Sequence, residues 1–172
     1  MTTLPHAFCD RMKETLGREY EAFLACYEKP HLRGIRLNPQ KCGEDLLRSA
    51  LPFPVTPAPF SPLSYYVPKE AEHLGVLPLH HAGAFYVQEP SAASAVTVLA
   101  PQPGERVLDL CAAPGGKSTQ IAALLAGEGL LWSNEIVRNR ANALLSNVER
   151  VGVRNAVVSC CRPEVLCSAL AG

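Results

Sequence analysis

The stretch Asp109-Leu110-Cys111-Ala112-Ala113-Pro114-Gly115-Gly116-Lys117-Ser118-Thr119-Gln120 decides how this chain is read. It follows a short apolar run, Val107-Leu108-Asp109-Leu110, and opens an amphipathic one over residues 116–125, so a strand passes through a glycine turn into a helix. In an open parallel sheet, ligands bind outside the carboxyl ends of the strands, and the first strand-to-helix turn is the preferred seat of a nucleotide-like cofactor. Paired glycines let the backbone turn sharply and come close to a ligand, while the new helix aims free N–H groups at it. Small Ala112 and Ala113 keep the rest of the turn uncrowded.

Two phosphate-binding patterns fail at this loop. Gly116-Lys117-Ser118 supplies the second half of G-x-x-x-x-G-K-[ST], but Cys111 stands where the first glycine belongs. The pattern G-x-G-x-x-G fails because the only glycines here are adjacent. A plain tight turn is the remaining alternative, and Glu135 argues against it. This acid follows the next apolar run, about twenty residues past the glycines, where a carboxylate can accept both hydroxyls of a ribose. Taken alone, Glu135 would read as an acid near a helix N-terminus; its weight comes from the pairing with the loop.

Working outward, residues 129–133 read as a strand, 138–151 as a helix and 155–160 as a third strand. Strand, helix, strand, helix, strand is the pattern of crossovers on a parallel sheet. Upstream, residues 83–88 read as a strand, and Pro90 opens a helix over 91–99. Residues 51–68 hold Pro52, Pro54, Pro57, Pro59, Pro62 and Pro68, which forbids helix and permits only extended connections with a short edge strand near Tyr65-Tyr66-Val67. This run is the expected seam between two units. Before it, Leu16, Tyr20, Phe23, Leu24 and Tyr27 share one face of a helix over residues 17–28, after a shorter helical piece over 5–15. Gly34-Ile35-Arg36-Leu37-Asn38 alternates like a half-buried strand, and a short helix follows over 44–50. The expected fold class is α/β: a small N-terminal α+β domain over residues 1–75, then the first half of a Rossmann-like domain over 76–172, ending after its third strand.

Composition agrees with a globular chain of this kind. Of 172 residues 48% are hydrophobic, enough for one good core, and no apolar run approaches the length needed to span a bilayer. The N-terminus, with Asp10, Arg11, Lys13 and Glu14 so early, lacks the apolar stretch of a signal peptide, so the expected location is cytoplasmic. Seven cysteines are scattered without a C-x-x-C pair or a His/Cys metal spacing, which reads as reduced thiols and no metal site. Net charge is zero, so a polyanion partner would have to be held by a local basic patch.

The string from Asp109 to Gln120 is similar to the cofactor-binding motif of the Fmu/Sun family of RNA 5-methylcytosine methyltransferases. The similarity runs back through Tyr86-Val87-Gln88-Glu89-Pro90-Ser91-Ala92 and Arg33-Gly34-Ile35-Arg36-Leu37-Asn38. It runs forward through Gly129-Leu130-Leu131, Asn134-Glu135 and Asn147-Val148-Glu149-Arg150, and the opening Leu4-Pro5 with Phe8, Met12, Leu16, Glu19-Tyr20 and Phe23 most resembles bacterial members acting on small-subunit ribosomal RNA. The resemblance implies a class I methyltransferase domain that uses S-adenosylmethionine. Cys111, Ala112, Ala113, Pro114, Gly115, Gly116 and Lys117 would wrap its methionine and adenosine portions, Glu135 would hold its ribose, and Asp109 would orient the loop or the cofactor's ammonium.

Methylating carbon 5 of cytosine requires a nucleophile to add first to carbon 6. The family uses a cysteine on a later strand, beside an Asp-Ala-Pro-Cys segment. This chain has no aspartate after Asp109 and no Pro-Cys pair, and Cys160, Cys161 and Cys167 come too early, so no catalytic residue is assigned and the chain alone is expected to be inactive. Residues 159–162 also offer no acid where many methyltransferases place one against the adenine. For RNA, Arg33 and Arg36, with Lys41 and Arg48, could form a phosphate-contacting patch, or an ordinary solvated face. Two other functions are weighed against methyl transfer: a non-catalytic RNA-binding or assembly module, and a nucleotide-phosphate enzyme built on Gly116-Lys117-Ser118. A sheet ending at its third strand leaves residues 106–110 as an open edge, expected to pair with another copy or to be covered by the N-terminal domain.

Overall fold

The computed structural model describes residues 4–171, so the first three residues and Gly172, where the two expected domains begin and end, lie outside it. The chain divides into two compact units, Met1–Leu32 and Arg33–Gly172. In the first, α1 (His6–Leu16) and α2 (Tyr20–Cys26) are joined by a 3₁₀ turn, Gly17–Glu19. The expected helix over 17–28 is shorter because Gly17 takes φ 51°, which ends α1 and forces a tight turn before α2 begins. Phe8, Phe23 and Tyr27 form the seam, with Phe23 and Tyr27 edge to face at 5.3 Å. No described residue of either helix is fully buried within this small unit.

The second unit opens with a four-stranded antiparallel sheet. It contains β1 (Arg33–Leu37), β2 (Thr56–Pro57), β3 (Ser64–Val67) and β4 (Phe85–Val87) in the order β2-β3-β1-β4, with α3 (Glu44–Ala50) and the short α4 (Pro78–His81) between strands. Ile35, Leu37, Leu47, Tyr65, Val67 and Phe85 form its core. The Pro-rich run is not a seam: Pro57 lies in the edge strand β2, where a missing N–H costs nothing, and β3 pairs directly with β1. The sheet extends to Val87, past residue 75, and the compact division falls at Leu32 instead.

The remaining elements are the 3₁₀ turn Pro90–Ala93, α5 (Ser94–Leu99), β5 (Arg106–Asp109), α6 (Gly116–Leu125), β6 (Leu130–Asn134), α7 (Arg138–Val151), β7 (Ala156–Ser159) and α8 (Pro163–Leu170). The three strands are parallel in the order β5-β6-β7, which is the expected first half of a Rossmann-like sheet. Val107, Leu131 and Ala156 sit in cross-strand register and are covered by Ile121 and Leu125 of α6. Leu144 and Val148 of α7 pack on Ala156 and Val158. The row on the opposite face, Leu108, Trp132 and Val157, is only partly covered, and Leu108 is 43% exposed. Among the described residues β6 is the only strand paired with β5, so β5 is an edge. Among the described residues no helix is long and apolar enough to cross a membrane.

What joins the two sheets is β1, which is buried on both faces. Ile35 and Leu37 point into the antiparallel core, while Gly34 and Arg36 face the parallel half. A Cβ at Gly34 would lie 2.5 Å from Pro90 Cγ and 2.7 Å from the Tyr65 carbonyl oxygen, so only glycine permits this approach. Arg36 is 4% exposed. Its Nη1 donates to Gln88 Oε1 and, at 2.6 Å, to the Gly116 carbonyl, and its Nη2 donates to Thr119 Oγ1 at 2.7 Å. The expected role of Arg36 in contacting RNA phosphate is therefore corrected: the guanidinium is enclosed and its donors serve the protein. Arg33, half-buried, donates to the Ala71 carbonyl at 2.8 Å. Asn38, at the end of β1, donates to the carbonyls of Gly83 and Val151, both at 2.9 Å, which ties the strand to the end of α7.

Burial pushes the Arg36 guanidinium down to about 10, with Tyr86 working in the opposite direction, so it stays charged at neutral pH. Removing it strands three acceptors that now receive hydrogen bonds from a cation. Arg36→Met is expected to cost about 2–3 kcal/mol in urea unfolding, and Arg36→Lys to cost as much, because an ammonium cannot span acceptors on both β4's end and α6.

Candidate functional site

The glycine loop leaves β5 at Asp109 and enters α6 at Gly116, with Gly115 at φ 114°, a conformation that L side chains rarely adopt. Asp109 organises the turn: its Oδ1 accepts from the Cys111 N–H at 3.2 Å and its Oδ2 from Ser118 Oγ at 2.7 Å. Both oxygens of Asp109 thus have partners inside the loop. Cys111 is an exposed free thiol and Lys117 is exposed, whereas Ala112 and Ala113 are buried against Leu144 and Val148. The Ala113–Pro114 peptide bond is cis.

The loop carbonyls are held one by one. Arg140 Nη2 donates to Ala113 O at 2.9 Å. The Pro114 carbonyl accepts from Asn147 Nδ2 at 2.9 Å and from the Tyr86 hydroxyl at 3.1 Å. Thr119 donates to Gly115 O through both its N–H and its hydroxyl, and Arg36 donates to Gly116 O. The Tyr86 phenol is pushed up by burial, with the neighbouring Arg36 and Arg150 pulling it back. It therefore stays a neutral donor at any physiological pH. The Ala112 N–H donates to Asn134 O at 2.9 Å, which fastens the loop to the end of β6.

Glu135 follows β6 directly and is 3% exposed. Its Oε1 accepts from the Val137 N–H at 3.0 Å, its Oε2 lies 3.4 Å from Arg140 Nη1, and its own N–H donates to Ser159 O at 3.1 Å. Asn134 beside it is fully buried and joins the ends of β6 and β7, donating to Cys161 O and accepting from Ser159 Oγ. The structure therefore brings the loop and Glu135 together at the carboxyl ends of two adjacent parallel strands. It does not bring Arg33 or Arg36 to a solvated face of this site.

Motif reading did not single out Arg140, Asn147, Tyr86 or Asn134 as parts of the site. A signal existed for two of them: Arg140, Leu144 and Asn147 fall at i, i+4 and i+7, one face of α7, and all three meet the loop. A groove of about 350 Å³ runs beside the loop, lined by Leu108, Asp109, Leu110, Cys111, Lys117 and Ile121 among others.

A parallel sheet with a glycine loop after its first strand and a buried acid after its second defines a Rossmann-like domain for a ribose-bearing cofactor. The family model described as the N-terminal domain of 16S rRNA methyltransferase RsmF matches residues 4–90, and the one described as 16S rRNA methyltransferase RsmB/F matches residues 96–165. The chain belongs to the 16S rRNA methyltransferase RsmF family, whose class takes its methyl group from S-adenosylmethionine. Ribosomal RNA small subunit methyltransferase F of Enterobacter sp. (strain 638) is 35% identical over 165 residues, covering 90% of this chain and 34% of that protein. The protein of the same description from Cronobacter sakazakii is 36% identical over 162 residues, covering 88% and 34%. A solved methyltransferase homologue from Pyrococcus horikoshii superposes with a TM-score of 0.85 at 26% identity, covering 97% of this chain and 56% of that one. The chain thus spans about a third of the length of the curated relatives it matches.

Proposed function

We propose that this chain forms the S-adenosylmethionine site of an enzyme that methylates carbon 5 of cytosine in small-subunit ribosomal RNA. The observation that carries this reading is the meeting of the Asp109–Lys117 loop and the buried Glu135 carboxylate at neighbouring strand ends, both in contact with Arg140. The residues fit the group. Each oxygen of Glu135 has one partner and keeps a second acceptor position, which suits the two hydroxyls of a ribose. Residues Cys111, Ala112, Ala113, Pro114, Gly115, Gly116 and Lys117 would line the rest of the cofactor, which supplies an electrophilic methyl group when bound. Asp109 orients the loop through Cys111 and Ser118, and its oxygens, like those of Glu135, each keep an acceptor position that would serve the cofactor's ammonium.

Attack by cytosine carbon 5 needs the ring first activated by a covalent adduct at carbon 6, and none of this chain's cysteines is assigned that role. The chain alone therefore binds the methyl donor without transferring its methyl group. Of the two arginines read as RNA contacts, Arg33 alone keeps part of its surface free. RNA contact through Arg33 remains part of the proposal. Self-association belongs to it too: the β5 edge is lined by the partly exposed Leu108 and offers unpaired N–H and C=O groups to a second copy.

Three outcomes are expected. Titration calorimetry with S-adenosylhomocysteine should show weak binding, and Glu135→Ala should weaken it by about 1–3 kcal/mol, the worth of charge-assisted hydrogen bonds to a buried acid; equal affinity in the variant removes Glu135 from the site. A radiolabel assay on ribosomal RNA should give no 5-methylcytosine, and its appearance would assign the chemistry to a cysteine present here. Light scattering over a dilution series should show a concentration-dependent dimer, and a monomer throughout rejects pairing at the β5 edge.

A further inference from the structure

Arg140 touches both walls of the site. Its two terminal nitrogens diverge, Nη2 to the Ala113 carbonyl at 2.9 Å and Nη1 to Glu135 Oε2 at 3.4 Å. Because a guanidinium is planar and rigid, this one side chain spans the loop and the acid, beside the Ala112–Asn134 backbone bond that ties the loop to β6. The Val137 N–H holds the other carboxylate oxygen, so each oxygen of Glu135 has one neighbour that orients it. The Arg140 side chain is 57% exposed while that of Glu135 is 4% exposed. An ion pair with so exposed a partner contributes little to stability. Its effect lies in orientation.

We propose that Arg140 is a positioning residue that aims the Glu135 carboxylate at the ribose hydroxyls of the cofactor, a reading that rests on the cofactor site proposed above. Without it, Glu135 keeps only the Val137 N–H and turns about its own bonds, and the loop loses the donor on Ala113. A lysine reaches one acceptor and not both, so charge alone does not substitute.

The test is calorimetry on the full chain with two ligands, S-adenosylhomocysteine and its 2′,3′-dideoxyribose analogue, which lacks the hydroxyls. The unaltered chain should prefer S-adenosylhomocysteine, and Glu135→Ala should remove that preference. Arg140→Met is expected to lower affinity for S-adenosylhomocysteine about tenfold, the scale on which removal of an orienting partner acts, while affinity for the dideoxy analogue falls by much less. Arg140→Lys should lose nearly as much, and both variants should melt within a few degrees of the unaltered chain. Equal loss for both ligands, or unfolding of both variants, assigns Arg140 a merely structural role and overturns the proposal. Full affinity in Arg140→Met alongside a loss in Glu135→Ala also overturns it, while leaving the cofactor site standing. Failure of the unaltered chain to bind S-adenosylhomocysteine, or indifference to the hydroxyls, overturns the cofactor site itself and this proposal with it.

Discussion

A guanidinium buried between two sheets, with neutral oxygens as its only hydrogen-bond partners, is the constraint on which the rest of the second unit depends. Arg36 carries a full charge into the interior and satisfies it on Gln88, Gly116 and Thr119. A buried cation without a paired acid is tolerable only where acceptors of fixed position are built around it. Those acceptors lie on the end of β4 and the first turn of α6, so meeting the requirement docks the antiparallel sheet onto the helix that follows the glycine loop. Gly34 makes the approach close enough, and Asn38 and Arg150 repeat the arrangement at the far end, where Arg150 donates to the carbonyls of His80 and Phe85.

Local periodicity was a sound guide wherever one face of an element meets a core and the other meets water. The helices over 116–125 and 138–151 have the bounds that periodicity gives them, and the strand-helix alternation identified the parallel sheet. It failed at β1 because alternation of polar and apolar residues does not say what the polar residues face. Arg36 looks the same in sequence whether it meets water, phosphate or a helix carbonyl. The Pro-rich run misled for a related reason. Prolines exclude helix, but not the edge strand β2 or a proline-free inner strand such as β3 between them, and Val55, Ala58 and Tyr65 are all buried there. The helix α8 was passed over although Pro163 stands at its first position, a start signal in plain view.

The site divides along the same line. Glycine spacing and the acid after the next strand were legible because they follow from what a backbone near a ligand requires. The residues that hold the loop from behind were not, since a carbonyl accepts from any donor and leaves no pattern of its own. Tyr86 and Arg140, 54 positions apart, grip successive carbonyls at Pro114 and Ala113, a relation that only the packing of β4 and α7 creates.

The gripping of those carbonyls bears on how a ligand would be received. Each of Ala113, Pro114, Gly115 and Gly116 has its carbonyl engaged by a side chain from β1, β4, α6 or α7 before any ligand arrives. Such a loop is preorganised: association orders the incoming molecule but does not have to order the polypeptide that receives it. The recognition surface is in this sense a property of the framework behind it, and changes made at β1 or along α7, out of reach of any ligand, alter the shape that the ligand meets.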